Sequence, residues 1–186
     1  KWAQDPSNPT TFKAADMFLT ALSWAQGNDT NMELFLHDGE STWNDNNNLW
    51  DAYLLGSKRI GHGIALFRQP LLQEMMIASQ KTALEVCPIS NQILQYTNDL
   101  RQHPASSYLR AGVPMVLAPD DPGIFGYTGL SYDFWEAVMA WELDIRDIKQ
   151  LIVNGFKYSA MTDDEQALAL ATWEKKWASW ISTLAK

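Results

Sequence analysis

The sequence predicts an α/β fold in which parallel strands alternate with helices. Four short apolar runs are each followed by a segment with helical spacing, at roughly 25 to 30 residues for each strand–helix unit. The runs are nearly all apolar instead of alternating with polar residues, which is typical of parallel strands that are covered on both faces. Polar side chains gather where each run ends, and their placement separates one α/β architecture from another.

The four apolar runs are the predicted strands. Their short length favours strands over buried helices. In chain order they lie at residues 32–36, 59–66, 83–88 and 114–119.

Helices are predicted where apolar residues recur at helical spacing. Asp45 is a suitable N-cap for a helix that ends at Gly56, and Pro70 occupies a first-turn position that proline tolerates. Gly112 closes the helix that follows the third strand. The predicted helices lie at residues 13–26, 45–56, 70–81, 104–111, 131–143 and 145–155, with a last one from 163 onward.

Composition limits the possible functions. The chain has 186 residues, of which 46% are hydrophobic, so it predicts one folded domain over residues 1–186 with no internal boundary. A net charge of −8 argues against a nucleic-acid polymer as a partner. No apolar run approaches the length of a membrane span. A single cysteine excludes an internal disulfide and the cysteine-rich zinc patterns.

The polar residues at the strand ends favour a barrel over a doubly wound sheet. Catalytic residues that come from the ends of several strands are typical of (β/α)8 TIM barrels. A dinucleotide-binding sheet would instead carry a glycine-rich turn after its first strand, and none is present. A whole barrel needs about 250 residues, so this chain supplies about half of one.

These residues have the chemistry of a metal-dependent site. His37 and Asp120 are ligand types that suit zinc, and Glu40 is a candidate general acid or base. His62, between two glycines, is placed to orient or deprotonate a water, and Asp121 is a second carboxylate that could bind substrate. Each residue taken singly is more often structural. A single pocket would explain why such residues follow all four strands, and this interpretation is stronger than four separate structural roles.

Two further residues have structural interpretations. His103 precedes a helix without any strand-end placement, so we expect it at the surface. Cys87 is expected to be a small buried side chain and not a ligand.

Five segments resemble a known family: HDGES, DNNNLWDAYLLGSKRIGHGIAL, VCPISNQIL, LAPDDPGIFG and GLSYDFWEA. Together they are similar to the C-terminal half of the adenosine deaminase superfamily. The likeness is greatest to its secreted adenosine deaminase-related growth factor branch, including fungal members. It runs in order from about residue 31 to about residue 180.

The resemblance implies the C-terminal half of a (β/α)8 barrel with one zinc ion, which removes the 6-amino group of adenosine to give inosine and ammonia. By motif, His37 and Asp120 match metal ligands and Glu40 matches the residue that protonates purine N1. His62 matches the histidine that assists the attacking water, and Asp121 matches the aspartate that hydrogen-bonds purine N7.

Three further positions bear on the resemblance. Gly39 matches the glycine of the family's H-A-G-E motif, which we assign to substrate binding. Two positions depart from the pattern: Asp38 stands where alanine is usual, and Pro119 where serine or threonine is usual. These departures keep open a second interpretation, a binding protein of growth-factor type with weak or no turnover. Adenosine nucleotides such as AMP also remain possible substrates.

The family's first strand carries an H-x-H pair that supplies two more zinc ligands, and these 186 residues contain none. We therefore expect a partner, the N-terminal half of the same deaminase, separated by proteolytic processing and still bound. The resemblance also implies a secreted protein and a homodimer of the completed enzyme.

Overall fold

The computed structural model describes Gly27, residues 33–41 and residues 47–184. The predicted helix at 13–26 and the predicted cap at Asp45 lie outside the described residues. The described elements follow the predicted order of alternating strands and helices.

The strands are β1 (Phe35–Asp38), β2 (Arg59–His62), β3 (Ala83–Val86) and β4 (Met115–Leu117). The helices are α1 (Asn48–Leu54), α2 (Pro70–Ser79), α3 (Pro88–Ile93), α4 (Ala105–Ala111), α5 (Pro122–Phe125), α6 (Ser131–Trp141), α7 (Ile145–Lys157) and α8 (Asp163–Leu184). Two 3₁₀ helices, Ile64–Arg68 and Leu100–Gln102, lie among them.

The four strands form one parallel sheet in the order β1-β2-β3-β4. Sequential order with a helix after every strand is the local topology of a (β/α)8 barrel. Because the strands are parallel, their carboxyl ends meet at one edge of the sheet, where polar residues can converge. The predicted parallel α/β architecture is confirmed.

Three predicted strands are shorter than expected, and the one predicted at 114–119 spans only Met115–Leu117. The strand predicted at 59–66 ends at His62, because His62 and Gly63 both adopt left-handed backbone, with φ of 67° and 64°. A 3₁₀ helix then begins at Ile64. The strand predicted at 83–88 ends at Val86, because Pro88 begins α3 at a first-turn position. The first change places His62 in a turn, and the second places Ser90 and Asn91 in the first turns of α3, at the same edge of the sheet.

The core lies between the sheet and the helices that cover it. Each large aliphatic side chain that it buries contributes about 1.5–3 kcal/mol to folding. Trp141 of α6 is 2% exposed, and its indole N–H donates to the carbonyl oxygen of Leu100 at 2.9 Å. Fully buried side chains that fill this core include Leu49, Ile60, Leu66, Leu72, Met76, Leu84, Met115 and Leu151.

The later helices end and begin where local chemistry dictates. Asp144 caps α7, since its carboxylate accepts hydrogen bonds from the backbone of Arg146 and Asp147. Gly112 closes α4 in left-handed conformation, as the sequence predicts.

Among the described residues, no helix combines the length and apolar character needed to cross a membrane.

Candidate metal centre and active site

Three residues of ligand type converge at the carboxyl edge of the sheet. His37 lies in β1, His62 ends β2 and Asp120 follows β4. One potential ligand atom from each lies within 4.8 Å of those of the other two. Three of the strand-end residues that the sequence singles out therefore lie together at this edge.

Gly61 makes room for His37. The two residues are paired in the register of β1 and β2, and a Cβ at Gly61 would stand 2.9 Å from His37 Nδ1. A contact that short forces a shift, and the neighbour is a ring of limited freedom. The first glycine of the G-H-G sequence thus allows the His37 imidazole to lie across β2.

The backbone at this edge is unusual. His62 (φ 67°) and Asp120 (φ 57°) are both left-handed although neither is glycine. Such conformations cost about 1–3 kcal/mol and concentrate at functional sites, where the surrounding structure holds them. Both residues belong to the cluster with His37, so the strain lies where the side chains of the site are positioned.

Glu40 is buried beside His62. Its Oε1 lies 3.5 Å from His62 Nε2. Gly39, the preceding residue, is left-handed, and its N–H donates to Asn48 Oδ1 at 3.0 Å. A Cβ at Gly39 would overlap the side chain of Leu49, so this glycine is required for packing. Its contact with substrate stays a prediction.

His62 experiences opposing electrostatic effects. Burial lowers its pKa, and the carboxylates of Glu40 and Asp120 oppose that change by favouring the imidazolium. The ring of His37 lies 5.1 Å from that of His62, centroid to centroid, in an edge-to-face arrangement. Asn91 of α3 donates a hydrogen bond to His62 Nδ1 at 3.2 Å. The other ring nitrogen, Nε2, is the one that lies 3.5 Å from Glu40.

Asp120 is oriented by Ser90. The Ser90 hydroxyl donates to Asp120 Oδ2 at 2.6 Å, a short charge-assisted hydrogen bond from α3, the helix after β3. Asp121 is partly exposed and precedes α5, where its carbonyl oxygen accepts the N–H groups of Ile124 and Phe125. The two neighbouring aspartates therefore have different surroundings, and the role of Asp121 stays a prediction.

A second network joins the ends of β3 and β4. The Tyr127 hydroxyl lies 2.8 Å from the Pro119 carbonyl oxygen and 3.0 Å from Asp133 Oδ2. Asp133 is fully buried, also accepts the N–H of Ile89, and has a pKa raised mainly by burial. Asp133 lies in the GLSYDF segment, and no sequence pattern predicts its role. In the structure it joins the first turn of α3 to Tyr127, which contacts the Pro119 carbonyl oxygen before Asp120.

The surface assignment of His103 is wrong. Its side chain is among the largest that are fully buried, and its Nε2 lies 3.0 Å from Asn91 Oδ1. No apolar periodicity marks this position, because the residue lies in an irregular turn between Gln102 and α4. The fold places His103 next to Asn91, on the side of Asn91 away from His62. Cys87 is buried as predicted, and burial raises its pKa well above the usual value.

The departures from the family pattern occupy defined places. Asp38 is the last residue of β1 and is fully buried. Pro119 lies before the Asp120 turn, and its carbonyl oxygen accepts from Tyr127. Neither substitution removes a residue of the candidate metal group.

The donor set fits a metal of zinc type. The His37 imidazole and the Asp120 carboxylate are ligands of the kind that zinc takes in catalytic sites, and His62 lies within reach of both. The three residues come from three separate strands of the sheet.

The fold and the site together define a parallel α/β protein that resembles the TIM-barrel amidohydrolases. The sequence profile of the adenosine deaminase family matches residues 4–174. The chain therefore belongs to the adenosine deaminase family.

Curated relatives and solved structures agree with this assignment. Adenosine deaminase 2 of Dictyostelium discoideum is 44% identical over 151 residues, which are 81% of this chain and 28% of that protein. Human adenosine deaminase 2 is 40% identical over 157 residues, 81% of this chain and 30% of that protein. The chain thus spans about a third or less of these relatives.

Solved structures show the same partial coverage. The adenine deaminase of Arthrobacter aurescens superimposes with a TM-score of 0.70 at 26% identity, covering 82% of this chain and 46% of that one. An amidohydrolase of Burkholderia ambifaria with bound zinc gives 0.73 at 22% identity, covering 91% and 46%. The predicted half-barrel is consistent with this coverage.

Proposed function

We propose that this chain is the C-terminal half of a zinc-dependent purine deaminase, which hydrolyses the 6-amino group of adenosine to give inosine and ammonia. The observation that carries the proposal is the convergence of His37, His62 and Asp120, with Glu40 beside them, in a chain of the adenosine deaminase family. The relatives named adenosine deaminase 2 support adenosine as the substrate.

His37 and Asp120 are the ligands that this chain would give to the zinc ion. A catalytic zinc normally has three protein ligands, so we expect the remaining histidines from an H-x-H motif on the N-terminal half. When bound, zinc supplies Lewis acidity that makes water a nucleophile near neutral pH. The hydrogen bond from Ser90 holds the Asp120 carboxylate in one orientation for this role.

The protein side chains provide the proton transfers and orient the purine. Glu40 donates a proton to purine N1, which makes C6 more electrophilic. His62 holds the attacking water through its Nε2, and Asp121 hydrogen-bonds purine N7. Gly39 lines the same edge and is assigned to substrate binding. Groups that transfer protons in this way typically contribute ~10²–10⁴-fold to rate.

Ammonia release from adenosine by the assembled enzyme is the test. We expect Glu40→Gln to lower kcat by ~10²–10⁴-fold while the zinc content stays near that of the wild type. Asp120→Ala should lose zinc and activity together. A Glu40→Gln variant with wild-type turnover would reject the proton-donor role, and full zinc occupancy in Asp120→Ala would reject the ligand assignment.

Parallel assays with AMP decide whether nucleotides are also substrates. A protein that binds zinc and adenosine without turnover would support the alternative, a growth-factor-like binding protein. Conversion of adenosine to inosine at enzymatic rates excludes that alternative.

The partner is proposed from the surface that the chain presents. β1 and β4 are the outer strands of the described sheet, so each offers an edge to further strands. On α6, Tyr132, Trp135 and Met139 are 53%, 63% and 61% exposed, beside an apolar groove of about 530 Å³ between α6 and α7. Exposed apolar side chains of this kind suit an obligate interface, which typically buries ~2,000 Å² or more in total.

Native mass beside denaturing electrophoresis tests the partner. We expect a second polypeptide that carries an H-x-H motif, and a completed enzyme that forms a homodimer and is secreted. A sample whose only polypeptide is this chain, yet which binds zinc and deaminates adenosine, would refute the partner proposal. Trp135→Glu should weaken the association of the halves, because it places a charge on the apolar face.

A further inference from the structure

A buried chain of hydrogen bonds runs behind His62. The backbone N–H of Ala105 donates to His103 Nδ1 at 3.1 Å, His103 Nε2 lies 3.0 Å from Asn91 Oδ1, and Asn91 Nδ2 lies 3.2 Å from His62 Nδ1. His62, Asn91 and His103 are each 2% exposed or less. Side chains so well buried keep their hydrogen-bond partners, because no water replaces a lost one.

The hydrogen bond from Ala105 determines which atom donates and which accepts in the other two hydrogen bonds. A peptide N–H can only donate, so His103 Nδ1 must accept from Ala105 and cannot carry a proton. Burial also lowers the pKa of His103 to about 4, which keeps the ring neutral at physiological pH. A neutral ring that accepts at Nδ1 has its proton on Nε2. His103 therefore donates to Asn91 Oδ1.

The orientation of the Asn91 amide in turn determines the tautomer of His62. With its oxygen accepting from His103, the Asn91 amide turns its NH₂ group toward His62 Nδ1. The reversed amide would need an N–H on His103 Nδ1, which would face the N–H of Ala105 donor to donor. Neutral His62 thus accepts at Nδ1 and carries its proton on Nε2, 3.5 Å from Glu40 Oε1.

The polarity of this bond distinguishes His62 from a metal ligand. A histidine that binds metal through one nitrogen normally donates the N–H of its other nitrogen to a carbonyl or carboxylate. His62 instead receives a hydrogen bond at Nδ1, so its Nε2 presents an N–H and not a lone pair. Such a group stabilises negative charge on a nearby oxygen, and it holds a water from the donor side.

We propose that His103 is a positioning residue, which acts through Asn91 to hold His62 in the tautomer with its proton on Nε2. The proposal rests on the proposed function, in which His62 contacts the attacking water. It assigns His62 the role of a hydrogen-bond donor to that water. It also gives a function to a histidine that lies outside the pocket.

Two substitutions at His103 distinguish an effect on this hydrogen-bond relay, from His103 through Asn91 to His62, from an effect on local folding. Gln in His103→Gln places an amide N–H near the position of Nε2, so it can still donate to Asn91. Asn in His103→Asn has a shorter side chain that can accept from Ala105 but does not reach Asn91. Asn91→Asp reverses the polarity outright, because a carboxylate only accepts and would draw the His62 proton to Nδ1. Ser107→Ala, on the exposed face of α4, is the matched control.

The primary measurement is ¹⁵N NMR of the assembled enzyme labelled in its histidine rings, with His62 signals assigned from their loss in His62→Gln. We expect a bare Nδ1 and a protonated Nε2 in the wild type and in Ser107→Ala, and the opposite tautomer in Asn91→Asp. We expect kcat to fall by ~10²-fold or more in Asn91→Asp, since a wrong tautomer costs up to ~10⁴-fold in a related setting. KM should change little, because the tautomer acts on the chemical step.

The His103 pair completes the test. His103→Asn should mix the two His62 tautomers and lower kcat, and His103→Gln should restore both toward the wild type. A protonated Nδ1 on wild-type His62 would overturn the proposal, as would Asn91→Asp with an unchanged His62 spectrum. If the wild type does not deaminate adenosine, the proposed function fails, whereas the ¹⁵N spectra still decide whether the relay exists.

Discussion

His103 should make the protein sensitive to acid. Its pKa is about 4 in the folded chain against 6.5 for a free histidine, because burial disfavours the imidazolium. Between these values the unfolded chain binds more protons than the folded one, so the free energy of unfolding falls as the pH falls. Titration of His103 does not change the free energy of unfolding above pH 6.5, and it lowers this free energy progressively as the pH falls toward 4.

The magnitude follows from the difference between the two pKa values. At about 1.4 kcal/mol for each pH unit, the full loss is roughly 3 kcal/mol, of which about 2 kcal/mol is already lost at pH 5. A loss of this size is a large share of the stability of an ordinary domain. Protonation would also set an N–H on Nδ1 against the N–H of Ala105.

Urea unfolding of the assembled enzyme across this pH range measures the effect. His103→Gln is the reference, because glutamine does not titrate and can keep the contact with Asn91. His62, whose pKa is also lowered, titrates in both proteins and cancels from the comparison. We expect the wild type to lose about 2 kcal/mol more than His103→Gln between pH 7.5 and pH 5. Equal losses in the two proteins would refute the reasoning.

Two further predictions concern the metal site. Gly61→Ala should displace the His37 ring, since the new Cβ would stand 2.9 Å from Nδ1, and isothermal titration should show weaker zinc binding. Gly155→Ala is its control, because that position in α7 is open and alanine there should stabilise the helix by ~0.5–1 kcal/mol. Ser90→Ala removes the 2.6 Å hydrogen bond to Asp120 and should lower zinc affinity by ~10–100-fold, as loss of an orienting partner typically does. Zinc affinity equal to the wild type in Ser90→Ala would show that Asp120 needs no such support.

Much of the architecture is a local property of the sequence. The alternation of apolar runs and helical segments predicts β1 to β4 and the helices between them, because apolar spacing reports the period of each element directly. Capping residues predict several ends, as Gly112 does for α4. The types of polar residue that follow each strand predict a metal-dependent site, since parallel strands bring their carboxyl ends together.

The tertiary structure alone decided how these residues are used. His62 ends its strand in a left-handed turn, and no apolar pattern distinguishes that turn from four more residues of strand. Gly61 is needed because His37, 24 positions earlier, lies against it in the β1–β2 register. His103 looks like a surface residue in the sequence, yet it reaches Asn91, 12 positions earlier, and through it His62. Contacts between residues so far apart depend on how the helices pack over the sheet, and spacing along the chain carries no record of them.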